Sequence, residues 1–423
     1  MQYQNSLAFA KQLDQEDSLT FLRNEFHIPK DTKGKEWGYF TGNSLGLQPK
    51  TTQKYITQEL DDWANLGVEG HFEAKNPWLN YHEDLSVKMA KIVGAKPIEV
   101  TVANTLTVNL HLLMVSFYRP TKTKYKILIE SDAFPSDRYA VESQLKFHGF
   151  DPEESLVEWK PRNGETLLRI EDLEQIIQKQ GDEIALLLIG GLNYYTGQFL
   201  DLKKIAAIGH SKNCFVGIDL AHGAGNIQPN LHDSNVDFSA WCTYKYLNSG
   251  PGSLGGIFIH EKHAYKNDLP RFAGWWNHNK KTRFNMRQPF DVLHGAEGWQ
   301  LSNPPILSMA AIKASLDIFD KIGMDLLREK SIKLTGFMEF LLHQIDSDKI
   351  KIITPKNPSE RGCQISIQVK NADKSLHKKL SQHHIITDWR EPDVIRCAPV
   401  PMYNSFEEVY QMVSVFKKLM NGE

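Results

Sequence analysis

Two charged residues stand where apolar strands end. Asp219 follows the run FVGI (215–218), and Lys245 follows FSAWCT (238–243), about 25 residues further on. A carboxylate leaving such a strand is costly unless a cation meets it. Taken singly, Asp219 reads equally as a helix N-cap or as half of a structural salt bridge, and Lys245 as a solvated loop lysine. The pair reads differently. Lys245 lies among Tyr244, Tyr246, Asn248 and Ser249 and precedes the Gly-rich stretch GPGSLGG (250–256), a setting in which an amine can serve as a nucleophile. A strand-end aspartate, a strand-end lysine and a Gly-rich stretch together suit pyridoxal 5′-phosphate. The lysine links to the cofactor's carbonyl carbon, and the carboxylate keeps the ring nitrogen protonated so that the ring draws electrons.

That chemistry needs a phosphate cradle and a stacking partner. TVANTLTVNL (101–110) offers the cradle: Asn104, Thr105 and Thr107 open a helix that continues HLLMVSF. Backbone N–H groups and a hydroxyl at such a terminus hold an anion; the plainer alternative is an ordinary N-cap. AFPSD (133–137) follows the apolar run KILIE and puts Phe134 at the same edge, where simple packing is the alternative to ring stacking.

Several elements must position these groups. KILIE (126–130), IALLLIG (184–190), CFVGIDLA (214–221), FSAWCT (238–243) and GGIFIH (255–260) are short apolar runs, with helical patterns at 170–179 and 201–211 between them. Doubly buried strands alternating with helices predict a mostly parallel sheet. The N-terminal third reads as helices, at 53–66 and 78–93, with Gly94 as a stop. After SNPPIL a helical pattern runs from 306 to 345. Two β-like runs (363–369, 384–390) and a last helix near 405–420 suggest a smaller α+β unit. The expected division is a large α/β domain over 50–305 and a small domain from 1–49 and 306–423.

Composition closes off other classes. A net charge of −2 over 423 residues, with 49 basic against 51 acidic side chains, leaves no electrostatic footprint for nucleic acid or an anionic membrane. Cys214, Cys242, Cys363 and Cys397 show no Cys-x-x-Cys spacing, so neither a metal site nor a disulfide framework is read. The first 25 residues lack an apolar segment of the secretory kind, and IALLLIGGL is about half a membrane span. A cytoplasmic chain with a small-molecule partner is expected.

An ordered set of motifs carries a closer resemblance: YFTGNSLGLQPK (39–50), LTVNLHLLM (106–114), FPSDRYA (134–140), YYTGQ (194–198), GIDLAHGAGN (217–226), WCTYKYLNSGPG (241–252), SNPPIL (302–307) and IRCAPVPMYNS (395–405). Over nearly its whole length the chain resembles the kynureninases, hydrolases of carbon–carbon bonds in ketonic substrates. The resemblance implies a fold-type-I, aspartate-aminotransferase-like architecture, pyridoxal 5′-phosphate as cofactor, and a homodimer whose partner subunit completes each site.

Carried over residue by residue, the resemblance makes Lys245 the cofactor-linking lysine and Asp219 the ring-nitrogen partner, with His222 close by. Leu106 (backbone), Thr107 and Tyr244 hold the phosphate; Phe134 stacks on the ring and Asp137 contacts it. Gly190 stands where the family usually has serine, so a hydroxyl contact is lost. Trp275 and Asn303 match cofactor-site positions. Arg396 matches the arginine that binds the substrate α-carboxylate, and Tyr195 matches a tyrosine proposed as proton donor. His71, Asn303 and Ser44 match residues facing the substrate ring. A His–Asn pair there can hydrogen-bond an extra hydroxyl, so 3-hydroxykynurenine is the expected preference over kynurenine; a satisfied interface histidine is the alternative for His71. The implied products are anthranilate or 3-hydroxyanthranilate and L-alanine. Family members serve tryptophan catabolism or pyridine-nucleotide (NAD) biosynthesis. The rivals are another fold-type-I enzyme, an aminotransferase or a cysteine desulfurase, and a silent binding module built on the same fold.

Overall fold

A computed structural model describes residues 2–266, 268–286, 289–345 and 348–422. Its centre is a seven-stranded sheet in the order Val100–Ala103, Gly255–Ile259, Phe238–Cys242, Phe215–Asp219, Ile184–Gly190, Lys126–Glu130, Leu156–Trp159. All neighbours run parallel except Gly255–Ile259, which is antiparallel to both of its partners.

The apolar runs form strands because both faces are covered. Side chains alternate along a strand, so Leu186 and Leu188 enter one core while Leu187 and Ile189 enter the other. Helices Leu106–Phe117 and Pro135–Phe147 cover the first face. Tyr81–Val93, Ile170–Gln180, Leu202–His210 and Ile306–Ile322 cover the second. The architecture is a three-layered, mostly parallel α/β fold.

A second sheet has four antiparallel strands in the order Asp388–Arg390, Val394–Cys397, Ile365–Val369, Ile350–Ile352. Ile365, Ile367, Ile395 and Cys397 share a separate core with the helices Leu7–Glu16, Met324–Leu342 and Phe406–Met420.

Four sequence readings change. The helical pattern over 306–345 is two helices, broken at Gly323, whose φ of +80° an L side chain adopts only with strain. Val100–Ala103, in the N-terminal third read as helices, is an edge strand of the large sheet, and the helix expected to open at Asn104 starts at Leu106 with Thr105 as N-cap. The run at 384–390 is two short strands, Ile385–Ile386 pairing with Gly38–Tyr39 and Asp388–Arg390 joining the second sheet. LVEW (156–159) forms the opposite edge strand of the large sheet. No helix among the described residues is long and apolar enough to cross a membrane.

Candidate active site

The carboxyl ends of the parallel strands open on one cavity of about 170 Å³, where an α/β sheet places its ligands. Glu130, Gly190 and Asp219 reach it as the last residues of three adjacent strands. Phe134, Ser136 and Asp137 reach it from the start of helix Pro135–Phe147, and Thr105, Leu106 and Thr107 from the start of Leu106–Phe117. Tyr194, His222, Tyr244 and Lys245 close it.

Lys245 Nζ lies 2.9 Å from His222 Nε2 and 5.9 Å from the ring centres of Phe134 and Tyr244. Burial, with the charges of Lys245, Arg396 and Arg390, holds the His222 pKa well below the ordinary histidine value. A neutral His222 accepts from Lys245 at Nε2, so Nδ1 carries its hydrogen; that buried atom has no partner.

Asp137 and Asp219 form a buried, hydrogen-bonded pair. Burial raises both, and the neighbouring Asp219 raises Asp137 further. Asp219 is drawn back by Asp137, by the Ala221 N–H 2.5 Å from Oδ1, and by Lys245. The shared proton therefore rests on Asp137, and Asp219 is the better anion. Glu130 is a third buried carboxyl. Both its oxygens lie 3.0 Å from Gly190 N, and burial lifts its pKa to about 7 against the backbone N–H groups of Gly190 and of Glu130 itself.

At the other side of the cavity, Thr107 Oγ1 meets Ser136 Oγ at 2.8 Å beside the free N–H groups of the helix start. No side chain caps that helix, which leaves its N–H groups for an anion. These features suit pyridoxal 5′-phosphate: an amine, an anion for a ring nitrogen, a flat aromatic wall and an uncapped helix terminus line one cavity.

The lysine segment is held from the N-terminal side. Gly46 N donates to Tyr244 O at 2.8 Å, and a Cβ on Gly46 would lie 2.2 Å from Lys245 O. Only glycine lets the GNSLG stretch come this close. The same stretch carries Ser44, whose hydroxyl donates to Asp388.

Arg396, fully buried in the strand Val394–Cys397, lies behind the cavity wall. Its Nη1 donates to Tyr194 O and its Nη2 to Asp388 Oδ2, both at 2.6 Å. Burial would raise Asp388, but the Arg396 guanidinium, Ser44 and Arg390 outweigh it and hold the carboxyl below its usual value.

Of the residues singled out in the sequence, Leu106, Thr107, Phe134, Asp137, Gly190, Asp219, His222, Tyr244 and Lys245 line the cavity. Tyr195 does not; it lines an adjoining pocket of about 120 Å³. Its neighbour Tyr194 faces the cavity instead, edge-on to Phe134 at 5.3 Å. Asn193 Oδ1 accepts from the N–H groups of both Tyr195 and Thr196, and that turn separates the two rings. His71, Trp275 and Asn303 also lie away from the cavity of this single chain. His71 rests against Trp78, Trp275 is 44% exposed, and Asn303 is exposed. Three polar cavity residues were missed: Glu130, Ser136 and Tyr194. The latter two were within quoted motifs, so adjacency was their signal; Glu130 looked like the polar end of a strand.

Comparison with known proteins places the chain in a family. Residues 327–416 match the family model described as the kynureninase C-terminal domain. The kynureninase of Myxococcus xanthus (strain DK1622) is 54% identical over 415 residues, covering 98% of this chain and 97% of that one. That of Flavobacterium psychrophilum is also 54% identical, covering 99% of both. Among solved structures, the Escherichia coli cysteine desulfurase CsdA superposes with a TM-score of 0.77 at 15% identity, over 96% of this chain and 98% of that one, a likeness of fold alone. With half of all positions identical along nearly the full length of both curated relatives, the chain belongs to the kynureninase family and is an enzyme of that kind.

Proposed function

We propose that the chain hydrolyses kynurenine, preferring 3-hydroxy-L-kynurenine, at the bond between the β- and γ-carbons, releasing L-alanine and the corresponding anthranilate. The observation that carries this reading is the convergence of Lys245, the Asp219 anion and the uncapped helix start on one cavity, in a chain of this family. Pyridoxal 5′-phosphate is the cofactor of the proposal; when bound it supplies an electron sink for bond cleavage.

The chain's own groups have separable tasks. Lys245 Nζ, beside the neutral His222, moves the proton at the substrate α-carbon. Asp219 holds a proton at the ring nitrogen, with Asp137 as the neutral member of the pair. Leu106 N–H, Thr107 and Tyr244 hold the phosphate, and Phe134 excludes water from one ring face. Arg396 meets the substrate carboxylate, a planar group matched to guanidinium. For assistance at the γ-carbonyl, cavity exposure supports Tyr194 over Tyr195; burial raises the pKa of both.

The ring preference rests on His71. Its Nδ1 meets Val68 O at 2.9 Å. A carbonyl only accepts, so Nδ1 carries the hydrogen and in the neutral ring Nε2 is an acceptor for a 3-hydroxyl. His71, Trp275 and Asn303 reach a site only in a homodimer, which we propose. Trp63 at 61% and Val68 at 72% exposure, with Phe72 nearby, give the apolar surface such a partner would cover. We also assign two units by their cores, and the packing of Ile306–Ile322 against the large sheet's core supports placing that helix with the larger one. The four cysteines are buried and free, which supports a reducing compartment such as the cytoplasm. None of the four lines the cavity, which disfavours the desulfurase reading.

The test is direct. Purified protein reconstituted with pyridoxal phosphate is given kynurenine or 3-hydroxykynurenine, and the aromatic product is followed by fluorescence. Faster turnover of the 3-hydroxy substrate is expected; a requirement for a keto acid would favour an aminotransferase and sink the reading.

A further inference from the structure

Glu130 has no part in the reaction as set out above, yet it lines the same cavity as Lys245. It is 5% exposed, and its carboxyl accepts from Gly190 N–H at 3.0 Å. The seat depends on Gly190: a Cβ there would lie 2.4 Å from Glu130 Oε1. Glu130 alone lines both the cavity and the adjoining pocket that holds Asp132, Glu165 and Tyr195.

The charges around it are one-sided. Asp219 faces it from the second strand over, beyond Ile184–Gly190, Asp132 from the loop after its own strand, and Asp137 from helix Pro135–Phe147. Among the described residues Lys245 is the only lysine or arginine lining the cavity; His222 is neutral, and Tyr194 and Tyr244 carry no charge. Three largely buried carboxyls around one amine cannot all be anions without a large desolvation cost. Asp137 and Asp219 are tied to each other, so Glu130 is the member free to gain or lose a proton independently.

We propose that Glu130 is a positioning residue for the cofactor, a carboxyl seated beside Gly190 whose gain or loss of a proton sets the charge felt at the Lys245 linkage. Burial lifts its carboxyl to about 7, so the change falls near neutral pH. When Glu130 ionises, its charge favours the protonated form of the linkage; when it is neutral, that support is withdrawn. This inference rests on the reading that the cavity holds pyridoxal phosphate on Lys245.

The test uses the holoenzyme and reads the cofactor's visible absorbance against pH. Glu130→Gln keeps the shape and an acceptor for Gly190 N–H. Its absorbance transition should fall by about half a pH unit or more, roughly threefold in proton affinity, with the cofactor still bound. Glu130→Asp, which keeps the acid, should restore most of the wild-type midpoint. Infrared spectra of the wild-type holoenzyme should also show a protonated carboxyl that disappears through neutral pH, a measurement that needs no variant. Superimposable curves for wild type and Glu130→Gln overturn the proposal, as does the absence of that infrared change. A wild-type protein without lysine-bound cofactor absorbance defeats the cofactor reading, and this proposal with it; normal wild-type absorbance with an unmoved variant defeats the proposal alone.

Discussion

The cavity and the Arg396 cluster are both buried and both charged, but they balance their charges differently. At the cavity, three carboxyls face one amine, one histidine nitrogen has no partner, and a helix start is left uncapped. Around Arg396 the carboxylate of Asp388 is matched from within the chain, although Arg396 Nε has no partner. Asp388 accepts from Arg396 and Ser44, Arg390 stands 3.2 Å from its other oxygen, and Tyr194 O takes the second guanidinium nitrogen. The first region is incomplete without a ligand, so binding there adds interactions. The second already holds a carboxylate, so a substrate carboxylate must share or exchange with Asp388. Cofactor affinity and substrate affinity should therefore respond to mutation in different ways.

The largest expected effect removes the cavity's one amine. Lys245→Ala should lose both the cofactor's linked absorbance and turnover to the detection limit; retention of either would erase the distinction between the regions. Asp219→Asn should still bind cofactor but slow turnover by roughly 10²–10³-fold, because one preorganised charge at the ring is lost. Stopped-flow measurement of α-proton removal checks it.

Asp388→Asn probes the other region. It leaves Arg396 buried without its anion, and urea unfolding should show a loss of about 3 kcal/mol. Substrate should then stabilise the variant more than it does the wild type. Equal stabilisation of both would mean that Asp388 does not compete with the substrate at all.

A smaller effect depends on pH. Native Glu130, lifted from 4.5 to about 7, keeps its proton through a range in which the unfolded chain has released it. Stability from this group is thus lost as pH rises through that window. In cofactor-free protein, Glu130→Gln should gain roughly 2–3 kcal/mol over wild type above about pH 8 and nothing near pH 4. A constant difference across pH would show that burial is not what lifts the group. The smallest effect belongs to the ring: His71→Phe should reduce the preference for 3-hydroxykynurenine about tenfold, seen in KM, while turnover of kynurenine changes little.

The two regions also differed in how well the sequence displayed them. Asp219 and Lys245 could be read because each ends an apolar run long enough to mark a central strand. The edge strands Val100–Ala103 and Leu156–Trp159 gave weaker signals, being four residues long and carrying Thr101 and Glu158. Glu130 was hidden for a different reason. A glutamate closing a strand looks solvated, and its seat is made by a glycine 60 positions away. Which of two adjacent tyrosines faces a cavity depends on a turn at Asn193, below the resolution of any periodicity. Around Arg396 the motif IRCAPVP was visible, while the Ser44–Asp388 contact joins positions over 300 residues apart.

The approach of Gly46 to Lys245 has a consequence for biosynthesis. The stretch around it is fastened by the far end of the chain: Ala398 N donates to Phe40 O, Asn404 Nδ2 to Tyr39 O, and Arg23 Nη1 to Tyr403 O. A ribosome makes residues 39–48 early and those partners near the end. The clamp on the lysine is therefore among the last contacts to close, and an emerging chain can finish its central sheet well before its reactive amine is locked in place.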